Sequence, residues 1–147
     1  MELGELSTDS DLPYPLPEGA VVVTIEQARS SLREARDVLM VLQAMSDEAH
    51  DLTEELELLL DKYSMTHPHV MEVAEHLGQL VGQWQSNVQR LESLGARIVS
   101  MDPGRLEWYG VVDHHMALFS WAVGESDIEW YYGMEEGFPS RKPLIEA

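Results

Sequence analysis

Hydrophobic positions follow two different periods along the chain, and the change between them divides it. From Ile25 apolar residues recur at Ala28, Leu32, Ala35, Leu39, Leu42, Met45, Ala49, Leu52, Leu56, Leu59 and Tyr63. Steps of three and four keep one helical face apolar, as a coiled-coil seam requires. Thr24 and Gln27 have the spacing of a capping box, in which each side chain satisfies the other's backbone N–H, so the helix is expected to start at residue 24. Two successive steps of three around Leu42 would overwind the seam or break the helix near Ser46 and Asp47. Unbroken, it reaches about residue 63, roughly 40 residues and 60 Å.

The stretch "KYSMTHPHV" interrupts this pattern. Pro68 fits the first turn of a second helix with Thr66 or His67 as its cap. Val70, Val73, Leu77, Leu80, Trp84, Val88 and Leu91 then mark a second stripe, closed by Gly95 as the left-handed residue after the helix. The second helix is expected over about 68–94, and the short connection makes the pair an antiparallel hairpin.

Beyond Gly95 the period shortens to two. "ARIVSM", "LEWYGVV", "MALFSWAV" and "IEWYY" read as strands separated by turns, over about 97–132. Leu106, Trp108 and Val112 share one face, as do Ile128, Trp130 and Tyr132, so an aromatic sheet is expected to pack one face on the helices. The fold class is α+β: a long antiparallel helical hairpin followed by a small antiparallel β-sheet, one domain over 19–147 that ends in an irregular tail. Ala20 to Val23 suit a short strand. Residues 1–18 are acidic, carry Pro13, Pro15 and Pro17 and contain no Lys or Arg; they are expected to form a disordered tail, with an extended groove-binding motif as its alternative.

Charge and composition narrow the function. A formal net charge of −18 with a pI near 4.4 repels phosphate backbones and anionic lipid surfaces, so neither nucleic acid nor membrane is an expected partner. With no cysteine there are no disulfides, thiolate metal sites or cysteine nucleophiles. No basic segment precedes an apolar one at the N-terminus, and no apolar run approaches a membrane span, so a cytoplasmic protein is expected.

From Gly104 to Leu144 the chain reads "GRLEWYGVVDHHMALFSWAVGESDIEWYYGMEEGFPSRKPL". This resembles the C-terminal signature of an uncharacterised bacterial family, domain-of-unknown-function family 2203. Gly104, Trp121, Gly124, Glu125, Ile128, Gly137, Phe138, Arg141 and Pro143 match the pattern, and the helix opening "TIEQAR", Thr24 to Arg29, resembles the family's start. Two departures matter. Glu107, Trp108 and Tyr109 stand where the family has Asp-Phe-Pro, and Tyr131 and Tyr132 stand where it has a histidine after Trp, so any metal or proton-transfer role of that histidine is absent here. The resemblance implies the fold and brings no activity with it.

Glu107, Trp121, Glu125, Tyr132 and Arg141 are the candidate ligand-binding residues, with Arg141 suited to grip an anionic group bidentately. Against this stands a structural pairing of Arg141 with one of the carboxylates, fastening the C-terminal segment to the sheet. His69, Glu72 and His76 share a helical face as weak metal candidates; with the histidines two turns apart, a site would need His50 or a carboxylate from the first helix. His114 and His115 suit a turn. Asp47, Asp51 and Glu55 form an acidic face that reads as solvated. Neither a phosphate loop nor a serine elbow is present, no cofactor is expected, and the catalytic residues are unknown. The expected function is a non-catalytic interaction or scaffold protein, a homodimer through its hairpin with a possible protein partner. The alternative is a small-molecule or metal-dependent enzyme with its site in the C-terminal segment.

Overall fold

The computed structural model describes residues 20–145; the expected tail and its prolines lie outside the described residues. Two long helices come first, α1 (Ile25–Leu60) and α2 (Pro68–Ser93). Five strands follow: β1 (Ala96–Met101), β2 (Gly104–Val112), β3 (His115–Ala122), β4 (Trp130–Gly133) and β5 (Lys142–Pro143). A 3-10 turn at Phe138–Ser140 precedes β5. The α+β class and the hairpin-then-sheet order are as the sequence predicts. The chain divides into two compact units: residues 34–93, and the described residues up to Arg33 together with those from Leu94 onward.

In the first unit the two helices run antiparallel, since Glu34 pairs with Arg90, Glu48 with His76 and Glu55 with His69. α1 passes through Ser46 and Asp47 without a break and runs for 36 residues. Both residues are exposed, while Leu42 and Met45 just before them are buried, so packing of the seam outweighs their weak helix propensity. The helix ends at Leu60, three residues short of expectation. Backbone N–H groups of Lys62 and Tyr63 both turn back to the Leu59 carbonyl, and the Tyr63 ring leaves the seam to stack on His67 at 4.1 Å. His67 is the cap of α2: its Nδ1 accepts from the His69 N–H at 3.1 Å.

Burial along the seam is uneven. Leu39 and Leu42 are fully buried, and so is Leu91 of α2, whereas Ala49, Leu52, Leu56 and Leu59 are only half-buried. Toward the connecting turn the hairpin therefore leaves a wide apolar strip partly wet.

The second unit begins with the expected capping box. Thr24 N donates to Gln27 Oε1 at 2.8 Å and Gln27 N to Thr24 Oγ1 at 3.0 Å. Gly95 has φ +84°, and a side chain there would strike Val23, so both conformation and space require glycine. The sheet is an antiparallel meander in the order β1-β2-β3-β4-β5. A register shift between Ile98 and Ser100 leaves Val99 exposed. Asp113 and His114 both adopt left-handed backbone angles in the two-residue turn between β2 and β3, the geometry that matches strand twist. Of the expected strand at Ala20 to Val23, Val22 alone forms a bridge, parallel to Tyr109.

Strand register sorts the side chains onto two faces. Leu106 lies opposite Trp121, Trp108 opposite Phe119 and Gly110 opposite Ala117 on the face that meets the start of α1. There the Trp108 indole N–H donates to Ser31 Oγ, and the Arg29 Nε–H donates to the Ile128 carbonyl. Arg105, Glu107 and Tyr109 lie on the other face with Ser120, Leu118, Trp130 and Tyr132. Trp130 and Tyr132 share that face as expected, while Ile128 precedes β4 and is fully buried. The region read as an irregular tail instead forms the 3-10 turn and β5, which pairs Pro143 with Trp130 and Lys142 with Tyr131. Proline is compatible with such an edge strand because a ladder bond is needed on one side only.

Gly110 is set by packing: a Cβ there would come within 2.2 Å of the Phe119 ring. Gly110→Ala should destabilise the protein by about 1–3 kcal/mol through overpacking. Denaturant melts check this, and the penalty should shrink in a Phe119→Ala background, where the obstructing ring is gone.

Candidate functional site

The face of the sheet turned away from α1 carries the chemistry. Glu107 is 5 % exposed in the middle strands, and a buried carboxylate must find donors. It has two. Tyr132 Oη–H donates to Oε1 at 2.5 Å, and Arg97 Nε lies 2.7 Å from Oε2. Arg97 Nη1 also donates to the Tyr109 hydroxyl, so β1, β2 and β4 meet in one polar network. Beside it Tyr109, Met116, Leu118 and Tyr132 form an apolar cluster covered by Ala20 and Met134. Burial is the main reason that the Tyr132 phenol is raised well above its ordinary 10.0; the hydrogen bond to Glu107 and that group's charge add to it, while Arg97 and Arg141 oppose it.

A second group forms after β3. Glu125 N–H donates to the Ala122 carbonyl at 3.0 Å, closing a turn in which Gly124 has φ +101°. The Trp121 indole N–H donates to the Glu125 carbonyl at 2.9 Å, and Glu125 Oε1 accepts from the Ala122 N–H at 2.9 Å. Held in this way, the Glu125 carboxylate forms a two-pronged pair with Arg141 through Nη1 and Nη2. The Arg141 guanidinium carbon lies 4.3 Å from the Phe138 ring centre and 5.0 Å from that of Trp130. Nearby, Glu136 accepts from the Gly133 N–H at 2.8 Å and from Lys142 at 3.3 Å; the backbone bond first and the lysine second hold its carboxyl below the usual value.

The five candidate residues thus fall into two pairs and a support. Glu107 joins Tyr132 and Glu125 joins Arg141, whereas the Trp121 ring lies on the opposite face and reaches the site only through the turn it braces. Sequence reasoning missed Arg97, Tyr109 and Arg105. Alternation puts Arg97 of β1 on one face, but its partnership with Glu107 becomes visible only once the register Arg97 opposite Glu107 is known.

The histidines of the hairpin are spread out. His76 Nε2 lies 3.1 Å from Glu48 and His69 Nε2 lies 3.7 Å from Glu55, so carboxylates do cross from α1, one to each histidine. Among the described residues no three such groups converge on a point that could hold a metal ion, and Glu72 joins neither pair. His114 is in the turn after β2 and His115 opens β3, both exposed.

An α+β chain whose C-terminal residues lock a turn and a strap to a sheet defines the class. The chain matches the family model described as "Uncharacterized conserved protein (DUF2203)" over residues 22–144, and it belongs to that family. Among curated proteins and among solved structures no match is found. No helix among the described residues is long and apolar enough to cross a membrane.

Loss of the Tyr132 hydroxyl should leave the buried Glu107 short of a donor, so Tyr132→Phe is expected to cost about 1–3 kcal/mol at neutral pH. The phenol's proton is held more tightly in the folded chain. Its stabilisation is therefore complete below pH 10.0 and falls as pH rises beyond it, because only the unfolded phenol ionises. Urea melts at increasing alkaline pH should show the wild type converging on Tyr132→Phe.

Proposed function

We propose that this protein is a non-catalytic interaction protein that self-associates through its helical hairpin. The observation that carries the reading is the half-buried strip of Ala49, Leu52, Leu56 and Leu59, together with Leu77, Trp84 and Val88 on α2. Two helices bury one line of contact between them, whereas four bury all of it, and a two-fold pairing of hairpins is the commonest way to supply the other two. The strip is self-complementary in chemistry because both helices contribute to it. The cytoplasm suits a chain without cysteine.

Charge works against this association and supplies its signature. Residues 34–93 contain twelve Asp or Glu against three Lys or Arg, so two hairpins repel each other over a background of apolar attraction. Added salt screens the repulsion and leaves the apolar term intact, which makes the dimer tighten as ionic strength rises.

The competing reading, a small-molecule or metal-dependent enzyme with its site in the C-terminal segment, is less well supported. Both oxygens of Glu107 are engaged, one by Tyr132 and one by Arg97, and Glu125 is engaged by Arg141 and the Ala122 N–H. A carboxylate so occupied is a poor general base, since its lone pairs already hold protons of neighbours.

Sedimentation equilibrium tests the proposal. The wild type should be a dimer that tightens with salt, and Leu52→Glu with Leu56→Glu should weaken it by at least about tenfold while helical circular dichroism is retained. A wild type that stays monomeric at every salt and protein concentration would remove the proposal.

A further inference from the structure

Arg105 stands apart from the other cations of the sheet unit. It is the second residue of β2, opposite Ala122, the residue whose N–H holds Glu125, on the same face as Glu107. Its guanidinium lies flat enough on Phe138 to bring its central carbon within 3.7 Å of the ring centre. Its Nε–H is shielded from solvent and meets no acceptor. Arg97 has Glu107, Arg141 has Glu125 and Lys142 has Glu136, but among the described residues no carboxylate pairs with Arg105.

Two guanidinium groups therefore stand against one aromatic ring, and of the two only Arg141 carries a carboxylate, that of Glu125. Their central carbons lie 3.7 and 4.3 Å from the Phe138 ring centre, so they are separated by no more than the sum of those distances. One carboxylate or phosphate group can bridge such a gap, taking N–H donors from Arg105 and an Arg141 N–H that Glu125 leaves open. The local excess of positive charge sits in a chain of net charge −18, where surrounding acids would repel a stray anion. Holding an arginine there with no carboxylate partner among the described residues costs desolvation that a structural role as ring cover does not require, since an uncharged side chain would cover Phe138 as well.

We infer that Arg105 and Arg141, stacked against Phe138, bind a small organic anion through its carboxylate or phosphate oxygens. Arg105, which meets no carboxylate among the described residues, supplies the charge, Glu125 fixes the orientation of Arg141, and Phe138 holds both forks in place. Such a site would be a ligand site of the sheet unit, separate in residues and chemistry from the hairpin strip. No bond is made or broken there.

The test is titration of the full-length protein with inorganic phosphate and, separately, with succinate, followed through the arginine Nε–H resonances. Either probe should shift the Arg105 signal saturably, with phosphate alone indicating a phosphoryl ligand and succinate alone a carboxylate. Arg105→Gln, which leaves the Glu125–Arg141 pair in place, should weaken binding at least about tenfold at unchanged circular dichroism, and Arg105→Lys should restore only part of it because it keeps the charge and loses the fork. If neither probe shifts the Arg105 resonance in the wild type, or if Arg105→Gln binds both as well as the wild type does, the inference fails and Arg105 is a cover for Phe138.

Discussion

A carboxylate buried in the middle of a β-sheet sets the terms for the sheet unit. Glu107 must be matched by donors, and its immediate neighbours Leu106 and Trp108 point to the opposite face. The donors come from β1 and β4, as Arg97 and Tyr132. Packing of Phe119 over Gly110 constrains the register on one face, and the polar network constrains it on the other. Registers in which Arg97 lies opposite Glu107 and Tyr132 opposite Leu118 follow from that network.

The residues that match the family signature are the fittings around this network. Gly124 permits the turn, Trp121 braces it, Glu125 projects from it to Arg141, and Arg141 with Phe138 fastens the C-terminal strap that ends in β5. Ile128 offers its carbonyl to Arg29 near the start of α1, which links the matching helix opening to the same unit. These polar and aromatic residues engage one another, whereas Arg105 meets no carboxylate among the described residues.

How much the sequence discloses depends on the range of the interaction. The hairpin, the capping box of Thr24 and Gln27, the left-handed Gly95 and four of the five strands follow from patterns that span a few residues, where local physics dominates. The continuity of α1 through Ser46 was hidden because burial of Leu42 and Met45 is a tertiary effect. β5 was hidden because two residues, one of them proline, carry no periodicity; it exists through pairing with Trp130 and Tyr131. Within the candidate site, a pairing of Arg141 with one of the carboxylates was legible but not that the partner is Glu125, whereas Arg97 and Arg105 needed the register and so fell outside any reading of spacing.

Glu107 and Tyr132 act as one unit across the sheet, and a double-mutant cycle measures that coupling directly. Stabilities would be obtained by urea denaturation at neutral pH for the wild type, Tyr132→Phe, Glu107→Met and the double variant. Tyr132→Phe should cost about 1–3 kcal/mol less when Glu107 is already methionine, because the hydroxyl then has no carboxylate to serve. An equal cost in both backgrounds would contradict the coupling.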